Sequence, residues 1–474
     1  MKRNVRIIAR LDIKAENVIK GVHFEGLRII GNPNGLARKY VDQGADEIIY
    51  IDSVASLYGR NNLHEIVRAT AQRINIPITV GGGIRNLEDI RLLLLAGADK
   101  VAINTQATKT PMLLSEAAKS FGSQCILLSI TAKKVSEDKW VVWTDNAREP
   151  TDVDVVEWAR KGEELGVGEI IISSIDMEGT MEGFDNELCK CVSDAVNIPV
   201  IGGCGAGNKQ DVVDLVKSSD VCAVSLASIL HYNIVNVQSI KQALYENDFS
   251  VRLRSTKKYD FLPIKEDVSI LDYGIVNIYS VHETLKNMGA QVKIVKTVDE
   301  ILDAKKLILP GVGAFKQAMK LLSVNGLDEA IKKHVKDRKP LLGICLGAQL
   351  LLSFSEEHGY CEGLNLIEGK VVPLERDEAN KIKVPHIGWD KITKKNCQAE
   401  DRSFLRNLDR EAYVYFVHSF KMMPESEHLV LAECSYGPQK ICALFQKDNV
   451  VGCQFHPEKS DDDGMRILYY FCTM

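Results

Sequence analysis

The feature that most restricts how this 474-residue chain can fold is that its first half is written twice. The segment INIPITVGGGIRN at 74–86 recurs as VNIPVIGGCGAGN at 196–208, and Pro77 and Pro199 are 199 − 77 = 122 residues apart. Glu47 in EIIYID and Glu169 in EIIISS keep the same interval, and IIARLDIK at 7–14 pairs with ILLSITAK at 126–133. Between these copies, short β-branched runs alternate with longer helical patterns, the rhythm of a parallel sheet. Two matching halves, each of four βα units, predict a closed (β/α)8 TIM barrel over 1–250. A doubly wound open sheet is the structural alternative, but it does not naturally produce two matching halves.

Beyond the barrel the apolar periodicity fades and charges crowd together, which predicts a linker over 251–267. A second α/β domain is expected over 268–474, because VSILDYG, KLILPGVGAF, PLLGICLGAQLLL and VVGCQFHPEKS each read as a buried strand running into a turn. The net charge of −5 leaves no basic excess for a nucleic-acid partner. No apolar run reaches the roughly 18 residues of a membrane span, so a cytoplasmic protein is expected. Twelve cysteines without paired C-x-x-C spacing fit reduced thiols. Cys189 and Cys191 read as a half-buried helix face, and neither a metal nor a cofactor is expected.

In PLLGICLGAQLLL, Cys345 follows a buried strand and precedes Gly347 and a helical pattern, the elbow that exposes a nucleophile at the positive end of a helix. Such a place lowers a thiol pKa and offers backbone N–H groups to an oxyanion. A lone cysteine after a strand is usually inert core. FHPEKS changes that reading, since alternating strand spacing puts His456 and Glu458 on one face, where the glutamate can orient an imidazole that deprotonates the thiol. The glycine-rich turn Pro310 to Gly313 is placed to supply further amides.

With these motifs in place, residues 268–474 resemble a class I, triad-type glutamine amidotransferase, which hydrolyses L-glutamine through a thioester. The resemblance implies Cys345, His456 and Glu458 as the triad and glutamine contacts at Gly311, Gly313, Gln349 and Ser419. LDYGIVNIYSV, VPHIGWD and YFVHSF are similar to the glutaminase of the imidazole glycerol phosphate synthase family in particular. One departure is Val276, where a glycine is expected.

Residues 1–250 resemble the cyclase barrel of the same family, so cyclase and glutaminase are read as fused, barrel first. The loops Gly81 to Asn86 and Gly203 to Asn208 bring glycine amides where a phosphate can approach. As a matched pair they favour a bisphosphate; the resemblance implies that it is of ribonucleotide type, with contacts at Gly83, Asn104, Thr105, Gly179, Gly205 and Ser228. The resemblance further implies an ammonia gate of Arg6, Glu47, Lys100 and Glu169 and an interface lysine at Lys459. It fails at the catalytic mouth. Asp12 matches one of the family's two acid–base aspartates, whereas Thr131 stands where the second is expected and cannot titrate. Arg10 replaces a small residue on the same inward face as Asp12, and pairing between them is expected to lower the aspartate pKa. Glu178 either substitutes for the missing acid or caps a loop.

Three readings follow. The first is an ammonia-channelling synthase that cleaves and cyclises a phosphoribulosyl-formimino aminoimidazole carboxamide ribonucleotide in histidine biosynthesis. The second is a glutaminase and barrel that deliver ammonia to a separate acceptor enzyme, as in surface-sugar amidation. The third is a barrel that senses a phosphometabolite and regulates the glutaminase.

Overall fold

The computed structural model of the chain describes residues 4–55, 63–253, 262–274, 278–377, 382–395 and 411–474. Two compact units form. The first comprises Met1–Lys119, Ser123–Arg254 and Arg376–Pro385, and the second comprises Ser120–Gly122, Ser255–Glu375 and His386–Met474. Val276 lies outside the described residues.

The strands of the first unit are β1 (Arg6–Lys14), β2 (Asn17–Val22), β3 (Glu25–Gly31), β4 (Glu47–Asp52), β5 (Ile78–Gly81), β6 (Lys100–Ile103), β7 (Ile126–Ser136), β8 (Lys139–Thr144), β9 (Glu149–Asp154), β10 (Glu169–Ser174), β11 (Val200–Gly203) and β12 (Ala223–Leu226). Eight of them run parallel in the order β1-β4-β5-β6-β7-β10-β11-β12, and β12 pairs with β1 to close a TIM barrel. The duplication is visible in the topology. An antiparallel hairpin, β2–β3 or β8–β9, follows the first strand of each half. It is visible again in a helix cap: Asn86 and Asn208 adopt matching extended backbone angles, and each side chain accepts from the N–H three residues on.

Ile8, Ile49, Leu127, Ile171 and Ile201 converge in the lumen and are essentially fully buried. Because alternate residues of a strand share a face, β1 places Arg6, Ile8, Arg10 and Asp12 in that lumen. The barrel is fastened at its chain end by Asp46. One carboxylate oxygen accepts from Lys241 Nζ at 2.6 Å and Arg252 Nε at 2.9 Å, and the other accepts from Ile7 N at 2.8 Å. Val251 and Arg252, assigned to the linker from the sequence, are therefore buried against the barrel. Cys189 is buried and Cys191 exposed on the helix Asn186–Ala195, the half-buried face expected of them.

The second unit is built on a nine-stranded mixed sheet. Its parallel part runs Gln291–Val295, Asp267–Leu271, Leu307–Leu309, Leu341–Ile344 and Val450–Cys453, and four antiparallel strands continue it. Turns carrying Gly311 and Gly313, Cys345, and His456 leave the same ends of three adjacent parallel strands. That is the edge of an open α/β sheet where ligands bind. Among the described residues no helix is long and apolar enough to cross a membrane.

Substituting Asp46→Asn leaves Lys241 and Arg252 buried without their carboxylate. Loss of one partner of a buried ion pair costs about 3–5 kcal/mol, and denaturant titration of the barrel transition is expected to read a loss of that size.

Candidate active sites

Cys345 sits at φ 52°, ψ −111°, a strained conformation for a residue with a side chain and the mark of a nucleophile elbow. The turn closes because its glycines carry no Cβ: one added at Gly347 would lie 1.8 Å from the Leu309 carbonyl oxygen, and one at Gly311 2.7 Å from Gly347 N. The helix after the elbow is only Leu346–Leu350, shorter than the sequence pattern suggests, so no long helix dipole stands behind the thiol.

His456 Nδ1 lies 2.8 Å from Glu458 Oε1, and both residues are buried. They meet by a different route from the one read in the sequence. The strand ends at Cys453, and Pro457 opens a single 3-10 turn, Pro457–Lys459, so a tight turn replaces strand parity. Burial works against charging His456. The Cys345 sulfur and the Glu458 carboxylate outweigh it and hold the imidazole pKa well above its ordinary value. This favours a charged imidazole beside the sulfur.

A polar chain the sequence reading missed ends on the same sulfur. Gln454 Nε2 approaches Cys345 Sγ at 3.8 Å, and Gln349 Nε2 donates to Gln454 Oε1 at 3.2 Å and to the Phe420 carbonyl at 3.0 Å. That carbonyl also accepts from His418 Nδ1 at 2.8 Å, while His418 Nε2 lies 3.1 Å from His386 Nδ1. Burial, with His386 beside it, pushes the His418 pKa well below the ordinary histidine value, so its ring is neutral. Ser419 is thus held from both flanks, and its own carbonyl accepts from Leu374 N at 2.9 Å. Lys459, next after the triad glutamate, is buried.

In the barrel, Arg6, Glu47, Lys100 and Glu169 form a closed ring. Arg6 Nη1 reaches Glu47 Oε1 at 2.6 Å and Arg6 Nη2 pairs with Glu169 Oε1, while Lys100 Nζ reaches Glu47 Oε2 at 2.8 Å and Glu169 Oε2 at 2.7 Å. All four are at most 1 % exposed, which excludes a surface salt-bridge explanation. Burial opposes the charge on Glu47, but Arg6 and Lys100 outweigh it and lower its pKa.

At the opposite end of the strands, Arg10 Nε donates to Asp12 Oδ1 at 2.9 Å and Arg10 Nη1 donates to Ser173 Oγ at 2.7 Å. Ser173 is the register partner of Thr131 on β7 and β10, so the guanidinium spans the lumen. Burial alone would raise the Asp12 pKa; Arg10 and Lys20 prevail and lower it, weakening Asp12 as a base. Glu178 is a loop cap in this geometry: one oxygen pairs with Lys20 Nζ and the other accepts from Phe24 N at 2.7 Å. Lys20, whose Nζ is 3.7 Å from Asp12 Oδ2, was not singled out from sequence. Its signal is a lysine interrupting the buried run of β2. His231 is pushed down to about 4, chiefly by burial.

Among the described residues the matched glycine loops line spaces of unequal size. Gly83, Asn104 and Thr105 line a cavity of about 250 Å³, with Thr131 and Arg10 in its wall. Asn104 Nδ2 donates to the Ser129 carbonyl at 2.9 Å and to Thr131 Oγ1 at 3.2 Å. Gly179, Gly205 and Ser228 line a space of only about 20 Å³, room for about one water. The loop Met177–Gly183 packs there, and Gly183 N donates to the Gly205 carbonyl at 2.9 Å.

Family comparison separates the same two halves. The model described as histidine biosynthesis protein matches residues 6–236, and the model described as glutamine amidotransferase class-I matches 269–473. The imidazole glycerol phosphate synthase subunit HisF of Legionella pneumophila is 62% identical over 208 residues, 44% of this chain and 98% of that protein. The subunit of the same name from Bacillus cereus (strain G9842) is 44% identical over 248 residues, 52% of this chain and 98% of its own length.

Replacing Glu458 by glutamine removes the carboxylate that helps to sustain the His456 imidazolium. NMR titration is expected to find the His456 pKa lowered toward the ordinary value, with glutamate release reduced by roughly 10²–10⁴-fold. Cys345→Ala is expected to abolish release with the fold intact, and unchanged release by that variant excludes the triad.

Proposed function

Because the chain belongs to the imidazole glycerol phosphate synthase family, with cyclase barrel and glutaminase on one polypeptide, we propose that it hydrolyses L-glutamine at Cys345 and uses the ammonia at the barrel mouth. The function supported best is that of the family: cleavage and cyclisation of a phosphoribulosyl-formimino aminoimidazole carboxamide ribonucleotide in histidine biosynthesis. The observation that carries the glutaminase step is the buried Cys345, His456 and Glu458 constellation. The Cys345 thiolate attacks the side-chain carboxamide carbon of glutamine, and the oxyanion is received by amides of the Gly311–Gly313 turn and the elbow. The His456 imidazolium protonates the leaving nitrogen, ammonia departs, and water activated by His456 hydrolyses the thioester to glutamate. Glu458 fixes the ring through Nδ1. In the barrel, the charged ring followed by an apolar layer of Ile8, Ile49, Leu127 and Ile171 suits passage of neutral ammonia rather than ammonium.

One observation favours a second reading, in which ammonia goes to a separate acceptor enzyme. Of the two positions where the family keeps acid–base aspartates, Asp12 is held in an ion pair by Arg10 and Thr131 offers no proton at neutral pH. Steady-state assay of the purified chain with glutamine and the ribonucleotide separates the two. Imidazole glycerol phosphate formed in step with glutamate supports the first, and glutamate without it supports the second.

Thr131→Asp is expected to raise cyclase turnover, and further when Arg10 is also reduced to alanine. Thr131→Asn, of nearly the same shape, is expected to give no gain. A proton donor at this position is worth about 10²–10⁴-fold, so no rise in the aspartate variant excludes Thr131 as the cause. Lys100→Met is expected to uncouple the steps, with glutamate exceeding product; strict proportion in that variant excludes the ring as a gate.

A further inference from the structure

Arg10 lines both cavities of the barrel mouth and is 8 % exposed. A guanidinium has five N–H donors. Two are used, one on Asp12 and one on Ser173, and the Phe24 ring lies 6.0 Å from the guanidinium carbon. The remaining three have no partner among the described residues. That edge of the guanidinium faces the cavities, and a carboxylate is the planar acceptor that suits it.

The other charges around the larger cavity do not supply that acceptor. Lys109 pairs with Asp145 at 3.5 Å, and Asp52 Oδ1 already accepts from Val54 N and Ala55 N, each at 2.9 Å. Arg85 stands exposed at the rim, beside the glycine turn at Gly82 and Gly83. The cavity is therefore cationic at two separate places: the turn with Arg85, and the free edge of Arg10. A neutral sugar between phosphates leaves Arg10 unmatched.

We propose that the larger cavity binds a phosphorylated sugar acid, with its phosphate on the Gly82–Arg85 turn and its carboxylate on the unpaired edge of Arg10. The inference rests on the reading of that turn as a phosphate loop and adds the carboxylate, a group that nothing else about the barrel assigns.

Calorimetric titration of the full chain with 6-phosphogluconate and with glucitol 6-phosphate tests it. The two probes differ only in a terminal carboxylate against a hydroxymethyl group. The acid is expected to bind about tenfold tighter or more, the worth of a charged hydrogen bond. Arg10→Met is expected to remove the preference, and Arg10→Lys, which keeps a cation beside Asp12, to retain part of it. Equal binding of both probes to the unaltered chain overturns the carboxylate site and leaves the phosphate loop standing, as does a preference that survives Arg10→Met. Binding of neither probe overturns the phosphate reading and the proposal together.

Discussion

The period of two along β1 is the constraint on which the barrel depends. It sends Arg6, Ile8, Arg10 and Asp12 into one lumen, so three ionisable side chains are committed to a place without bulk water before any other strand is considered. Each has to be answered from elsewhere in the sequence. Arg6 is answered by Glu47 and Glu169 with Lys100 closing the ring, and Arg10 by Asp12 and Ser173. The ring is complete: every carboxylate oxygen has a cation. The upper set is not, since Arg10 keeps donors to spare. The ring is closed on itself, whereas the upper set leaves one edge of a guanidinium facing a cavity.

The two ends of the barrel differ for the same reason. At the ring end, two cations and two carboxylates cancel and no residue is left to select an anion or a cation. At the mouth, the local balance is set by Arg10 and Lys20 against Asp12 and Glu178, and the geometry is lopsided because Glu178 and Lys20 are tied up in holding the β2–β3 hairpin. Among the described residues, the second glycine loop is covered by Met177–Gly183 and the first lines the larger cavity.

Much of this was legible in the sequence, at the level of which residues meet. The interval between the repeats gave eight strands and their order, and the inward parity of β1 gave the Arg10–Asp12 pair. The motif around Cys345 and the FHPEKS run pointed to the triad, yet the way His456 and Glu458 meet was misread, because a proline after the histidine starts a turn where alternation implied a strand. Lys20, Ser173 and Gln454 went unnoticed because each is an ordinary polar residue in a strand or beside one, and only tertiary neighbours give it meaning. The inequality of the phosphate loops was invisible for a related cause. It depends on how Met177–Gly183 lies over Gly205, a tertiary contact that the matching glycine loops do not encode.

The glutaminase elbow leaves almost no room for variation. A Cβ at Gly343, Gly347 or Gly311 would come within 2.7 Å of backbone at each position, and the closest approach is 1.8 Å. Most codon changes there are lethal to the turn. The barrel mouth is as tightly drawn in its backbone, since a Cβ at Gly82, Gly179 or Gly205 would come within 2.4 Å of a carbonyl oxygen. Both halves therefore fix their turns by backbone contact, and what each can hold is set by the few side chains those turns carry.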